Sequence, residues 1–298
     1  MWVVGVRGAF AGVPGELCRF SVPGAEGVVI SIPRMPAFLL ENQDEAQRMM
    51  AEAVAGLEVD AVGLGSLLAV VAGRGESLAA EVDVPVTIGA AATSWAAIEN
   101  TLAVCAGLGV EEVAVLGFSS AVGHAVAVSL KDAGLSVVAG GRGAALVRRA
   151  EALGLPCVDD AVAVAGKRVV VGAATTGGTL DGMALEPNTV LLDVALPPTL
   201  RPGPRAAGVR VLAAEAVELP EGWAKGFWGA IYHVVSGYGP SQVYACLLEP
   251  MVLAMSGRTR PYSLGRRVAP EDLVDFADNA RQLGLEPRLA EGWRLARV

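Results

Sequence analysis

Between residues 110 and 215, short apolar runs alternate with amphipathic stretches. Glu112–Leu116, Leu135–Ala139, Pro156–Val158, Arg168–Gly172, Thr189–Val194 and Val209–Leu212 read as strands, and 121–133, 143–153 and Asp159–Ala165 as the helices between the first four. Runs with no polar alternation are what strands covered on both faces look like. Repeated βα units of this length predict a parallel, doubly wound sheet.

Outside that block the pattern is less regular. Val3–Val6 and Gly27–Ile32 read as strands, the second stopped by Pro33. Apolar positions at Ala46, Met49, Met50, Ala53 and Leu57 predict a helix with one buried face over about 41–57. Val59–Leu64 and Pro85–Ile88 read as buried strands, 93–107 as a helix, and 240–256 and 270–283 as two more, the last opened by Pro270-Glu271-Asp272. The regular block therefore predicts an α/β protein with a Rossmann-type domain at 109–215. It is inserted into a second, discontinuous α/β domain made of 1–108 and 216–298.

Composition narrows the class. The chain has 298 residues, 53% hydrophobic and 18% charged, with 37 glycines, which suits buried strands joined by tight turns and excludes a disordered chain. A net charge of −8 argues against nucleic acid as a partner. No run approaches the roughly 18 uninterrupted apolar residues of a spanning helix, and Met1–Arg7 lacks the pattern of a signal peptide. The four cysteines, Cys18, Cys105, Cys157 and Cys246, form no CxxC pair, and there are only two histidines, so no metal site is expected. These features fit a cytoplasmic protein with reduced thiols, and leave an oligomer open.

The first strand of the regular block runs into Gly117-Phe118-Ser119-Ser120-Ala121-Val122-Gly123 and then a helix. This is where a dinucleotide pyrophosphate binds: Gly117 permits the sharp turn, Gly123 allows close helix–strand packing, and helix-end N–H groups meet the anion. The middle glycine of the usual fingerprint is replaced by Ser119 and Ser120, whose hydroxyls are candidate phosphate donors; with Val122 they complete the loop. A purely structural turn is the alternative. The second strand ends Ala139-Gly140-Gly141-Arg142, with an arginine and no carboxylate, which favours NADP over NAD; the alternative for Arg142 is a solvated residue at a helix start. Thr175 and Thr176, after the fourth strand, are expected to border the inner half of the cofactor. Asp193, near the end of the next strand, either reaches the same crevice or caps the following turn.

The segment Ser241–Met251 carries the sharpest chemistry. A thiolate attacks thioesters readily, so Cys246 is the candidate nucleophile, against the reading of a buried core cysteine. Pro250 has no N–H for the Cys246 carbonyl and is expected to kink or restart the helix. Glu249 shares a helix face with Cys246 and is read as a structural hydrogen-bonding residue, with relaying protons or orienting the site as the alternative; a carboxylate so near opposes thiolate formation. His233 and Tyr238 are candidate proton donors, each with a structural role as the alternative. Arg258, Arg260, Arg266 and Arg267 form either a docking patch for coenzyme A or an acyl carrier protein, or an ordinary solvated loop.

On Tyr244-Ala245-Cys246-Leu247-Leu248-Glu249, Leu253, Gly257-Arg258 and Tyr262-Ser263-Leu264-Gly265-Arg266, the chain resembles the fatty-aldehyde-forming long-chain acyl-(acyl-carrier-protein) reductases best known from cyanobacteria. The resemblance extends to Gly63-Leu64-Gly65, Thr87, Gly89, Val113–Gly123, Leu191-Leu192-Asp193 and Pro197, covering roughly residues 27 to 287. It implies that Cys246 accepts the acyl group of a thioester and that NADPH releases it as an aldehyde. Two other classes stay open: a direct hydride-transfer dehydrogenase of the shikimate or methylene-tetrahydrofolate type, in which Cys246 is inert, and a non-catalytic NADP-binding regulator. The discontinuous arrangement is shikimate-dehydrogenase-like.

Overall fold

The computed structural model describes residues 2–3, 14–65, 67–201, 208–223, 238–239 and 241–291. The chain divides into two compact units: Met1–Ala92 with Leu219–Val234 and Val243–Leu285, and Thr93–Glu218 with Val235–Gln242 and Glu286–Val298.

In the second unit, β6 (Glu112–Leu116), β7 (Ser136–Gly140), β8 (Cys157–Val158), β9 (Val169–Gly172), β10 (Val190–Asp193) and β11 (Arg210–Ala213) form one parallel sheet. Their spatial order is β8-β7-β6-β9-β10-β11, with the short β15 (Ala290–Glu291) antiparallel on the β11 edge. Chain order thus reverses between β6 and β9, the switch point of a Rossmann sheet. Helices α6 (Ala121–Asp132), α7 (Ala144–Glu151) and α8 (Asp160–Val164) make the crossovers. Val113–Leu116, Val169–Gly172 and Leu191–Asp193 are buried throughout, which is why these strands show no polar alternation.

The first unit is built on β3 (Ala25–Ser31), flanked by β1 (Trp2–Val3) in parallel and β2 (Gly15–Val22) antiparallel. The expected one-faced helix over about 41–57 is α2 (Gln43–Ala55), preceded across Asn42 by a separate short helix, α1 (Pro36–Glu41). The Asn42 amide donates to the Phe38 carbonyl (2.9 Å), ending the first helix as the second begins. Ala46, Met49, Met50 and Val54 of α2 pack in one cluster with Val28 and Ile30 of β3 and with Ile32 just beyond it. The parallel pair β4 (Val62–Gly63) and β5 (Val86–Thr87) completes the core with α3 (Leu67–Val71) and α4 (Glu76–Ala79).

Two expectations are corrected. Residues 240–256 are not one helix: β13 (Gln242–Tyr244) precedes α9 (Ala245–Met255), because Gln242 closes a turn on Gly239 through both its backbone N–H (3.0 Å) and its side-chain oxygen (3.2 Å). The helix α5 (Ala90–Leu108) begins three residues before the expected 93. The last long helix, α10 (Pro270–Gln282), opens at Pro270 as expected.

Candidate functional site

Each unit carries one constellation. In the first it is the start of α9. From Ala245 to Leu253 every residue is buried except Cys246, which is partly buried. Cys246 is the second residue of that helix, in the turn whose backbone N–H groups have no intrahelical acceptor. The helix continues through Pro250 without restarting, contrary to one form of the expectation. The proline ring is accommodated by Gly63 of β4: a Cβ there would stand 2.5 Å from Pro250 Cγ.

Gly89 fits against the cysteine in the same way. It has φ +73°, and a Cβ built on it would lie 2.4 Å from Cys246 Cβ. Only glycine permits this approach. Glu249 is fully buried. Its Oε1 accepts from the hydroxyls of Thr87 and Ser263, the latter at 2.5 Å, and its Oε2 from the Ala92 N–H at 2.9 Å. Ser263 Oγ in turn accepts from the Ala90 N–H (2.9 Å). The first turn of α5 is thus capped by side chains from residues 249 and 263. Burial pushes the Glu249 carboxyl up, against the hydrogen bonds of Ser263 and Thr87. With both oxygens engaged, Glu249 is a structural bonding residue. Gly63, Thr87, Gly89 and Ser263, far apart in sequence, all meet α9.

In the second unit the constellation is the β6–α6 turn. Gly117 has φ +76°, and a Cβ on it would meet the Ala173 carbonyl oxygen at 2.4 Å; one on Gly123 would meet the Gly117 carbonyl oxygen at 2.2 Å. Both glycines therefore answer to close backbone approach, as the tight first turn of a dinucleotide-binding unit requires. Ser120 departs from its expected role. Its hydroxyl caps α6 by accepting from Gly123 N–H (2.9 Å) and spends its one proton on the Ala173 carbonyl (2.9 Å), so it is not a phosphate donor. Ser119 is exposed and Val122 half-buried on the same turn, and Thr175 and Thr176 are exposed on the loop after β9. Arg142 is exposed beyond β7 and paired to Asp159 at 2.7 Å.

Sequence reasoning missed what braces this loop. Phe118 is buried, with the Arg149 guanidinium over its ring at 5.0 Å and the His124 ring stacked on it at 5.3 Å. Arg149 also donates to the Phe118 carbonyl (2.7 Å). No local signal marks Arg149, which lies on the helix after the next strand.

Asp193 caps the turn after β10, accepting from Thr199 N–H (2.7 Å), Thr199 Oγ1 (2.6 Å) and Ala195 N–H (3.1 Å); burial pushes it up to about 6. Tyr238 is buried and donates to Glu215 Oε1 (2.5 Å), just beyond β11. Glu215 Oε2 is shut off from solvent and has no hydrogen-bond partner among the described residues. Burial pushes this carboxyl up to about 7; the Tyr238 hydrogen bond lowers it and the neighbouring Asp193 raises it further. Glu215 was not anticipated, since nothing in sequence pairs residues 215 and 238. His233 lies outside the described residues.

The arginine patch is half consumed. Arg258 bonds Asp272 and Asp275 and lies over the Tyr262 ring, and Arg260 reaches Asp272 at 3.0 Å, leaving Arg266 and Arg267 exposed. Among the described residues no cluster of three or more metal-binding side chains occurs, and no helix is long and apolar enough to cross a membrane.

No protein-family model matches the chain. Among curated proteins it is similar to the aminotransferase PigE of Serratia sp. (strain ATCC 39006), 27% identical over 308 aligned positions that cover 91% of this chain and 34% of that protein. The chain thus spans about a third of the length of this relative. Among solved structures it is similar to L-tryptophan dehydrogenase from Nostoc punctiforme, with 13% identity, TM-score 0.37, and 88% and 79% of the two chains covered. The A chain of dipicolinate synthase from Bacillus subtilis gives 15% identity and TM-score 0.33 over 67% and 64% of the two chains.

Proposed function

We propose that this chain is an NADPH-dependent reductase that converts an acyl thioester, carried by coenzyme A or an acyl carrier protein, to an aldehyde through an acyl-Cys246 intermediate, as a divergent relative of the acyl-(acyl-carrier-protein) reductases. The observation that carries this reading is that Cys246 alone, between Ala245 and Leu253, is only partly buried. A core cysteine has no reason to be the one uncovered position there; Cys105, by contrast, is fully buried.

The Cys246 sulfur attacks the thioester carbonyl carbon, and the bond from that carbon to the carrier sulfur breaks. The carrier leaves as a thiol with the proton Cys246 gave up. Gly89 and the Glu249 network hold the start of α9 in place. When bound, NADPH supplies the hydride that turns the acyl group into an aldehyde and returns the sulfur as thiolate, with one proton taken up overall from solvent. Gly117 and Gly123, which let the turn close tightly on its own backbone, would hold its pyrophosphate, and Thr175, Thr176 and Arg142 its flanks. Tyr238 gives its one proton to Glu215, which leaves His233 as the candidate proton donor. The curated relative's name fits in one respect: aminotransferases consume aldehydes and ketones, and an aldehyde is what this reading releases.

The test is mass spectrometry after incubation with acyl-coenzyme A thioesters of graded length and no NADPH. An acyl adduct on the Cys246 peptide, discharged on adding NADPH and absent in Cys246→Ser, is expected. A folded protein that forms no adduct with any chain length, yet binds NADPH, would falsify the thioester reading and leave the direct dehydrogenase.

A further inference from the structure

The end of β7 holds a carboxylate that its own sequence lacks. In a Rossmann site the residue closing the second strand reads the adenosine ribose: an acid there accepts from the hydroxyls of NAD, and an arginine nearby meets the 2′-phosphate of NADP. Here that strand closes on Gly140, yet a Cβ at this position would lie 2.5 Å from Asp160 Oδ1. Asp160 comes from the start of α8, after the neighbouring strand β8, and together with Leu116, whose Cδ2 stands at the same 2.5 Å, fills the volume a side chain at 140 would take. Gly140 is glycine for this crowding and not for its backbone angles, since its φ is not positive.

The same edge holds Arg142 and Asp159. The Asp159 carboxyl accepts from Ala161 N–H through Oδ1 (3.1 Å) and pairs through Oδ2 with the Arg142 guanidinium (2.7 Å). The Arg142 side chain is 73% exposed, so the pair is screened by water and opens at little cost. Three charged groups thus flank the ribose position, two acids and one base, and their sum is negative.

We propose that Asp160 and Arg142 make this a dual-specificity nucleotide site, in which Asp160 accepts the adenosine 2′-hydroxyl of NADH and Arg142 leaves Asp159 to meet the 2′-phosphate of NADPH. This rests on the dinucleotide reading above and adds to it the residue that sets the choice. A carboxylate at the ribose repels a phosphate dianion, and a releasable guanidinium attracts it. The two effects oppose, and the preference between the cofactors is narrow.

The experiment is titration of the full chain with NADH and with NADPH, following nicotinamide fluorescence, for the wild type, Asp160→Asn and Arg142→Ala, with a thermal melt of each. The wild type is expected to bind the two within about tenfold of each other. Asp160→Asn is expected to weaken NADH about tenfold and to tighten NADPH, and Arg142→Ala to weaken NADPH about tenfold with little change for NADH. A wild type that rejects NADH by more than about a hundredfold overturns the proposal. So does an Asp160→Asn protein that melts normally and keeps the wild-type ratio of affinities. If the folded wild type binds neither dinucleotide, the proposed function fails with it; if it binds NADPH and the ratios stay put, only this inference fails.

Discussion

At the scale of residues, the geometry around Cys246 rests on what is missing beside it. Gly89 allows the chain to pass within contact of the cysteine Cβ, at a φ of +73° that a side chain adopts only under strain. Gly89→Ala is therefore expected to cost about 1–3 kcal/mol in chemical denaturation and to change the rate at which iodoacetamide alkylates Cys246. Unchanged stability and alkylation would show that the close approach has no energetic weight. The buried carboxyl of Glu215 sets a second prediction. Its value rises from 4.5 to about 7 on folding, so the folded protein favours the protonated acid. The stability this contributes is fully present below about pH 4.5 and is lost as pH rises through about 7. Glu215→Gln, a permanent stand-in for the neutral acid, is expected to gain on the wild type between pH 5 and 8, by up to about 3 kcal/mol. Denaturation midpoints at both pH values check it; a difference that shrinks with rising pH would reverse the sign of the argument.

At the scale of elements, α5 shows why a boundary can be invisible in sequence. The stretch Gly89-Ala90-Ala91-Ala92 has no Ser, Thr, Asp or Asn to cap a helix, so the pattern places the start at 93. The caps are Ser263 and Glu249, 173 and 157 residues further along the chain from the N–H groups they accept. Glu249→Ala would leave the Thr87 and Ser263 hydroxyls and the first turn of α5 short of an acceptor. A loss of about 3–5 kcal/mol in urea denaturation is expected, with Glu249→Gln losing less because one oxygen remains. Equal stability of all three proteins would mean that water replaces the carboxylate without penalty. The same logic explains β13, where a turn closed by Gln242 ends what periodicity alone would extend as helix.

At the scale of the whole molecule, both units are assembled from separated stretches of chain. A chain ended after Gln242 lacks α9, whose Pro250 packs on Gly63 and whose Glu249 bonds Thr87. Such a protein is expected to lose protease resistance across residues 14–92, measured by limited proteolysis with mass mapping; resistance equal to the full chain would show that the first unit folds without that helix. The sequence by itself determined the Rossmann strands of the second unit, because strands buried on both faces must be apolar along their length, and it marked Gly117 and Gly123 because backbone crowding admits no other residue. It also singled out Cys246 as the candidate thiol. Only the tertiary structure decided that Cys246 is the one partly buried residue between Ala245 and Leu253. It alone revealed that Glu249 caps α5, that Glu215 meets Tyr238, that Ser120 spends its proton on Ala173, and that Asp160 fills the space beside Gly140. Each of these is a contact between residues distant in sequence. Local pattern encodes how a segment buries its own surface, and carries no record of which remote side chain will satisfy its polar groups.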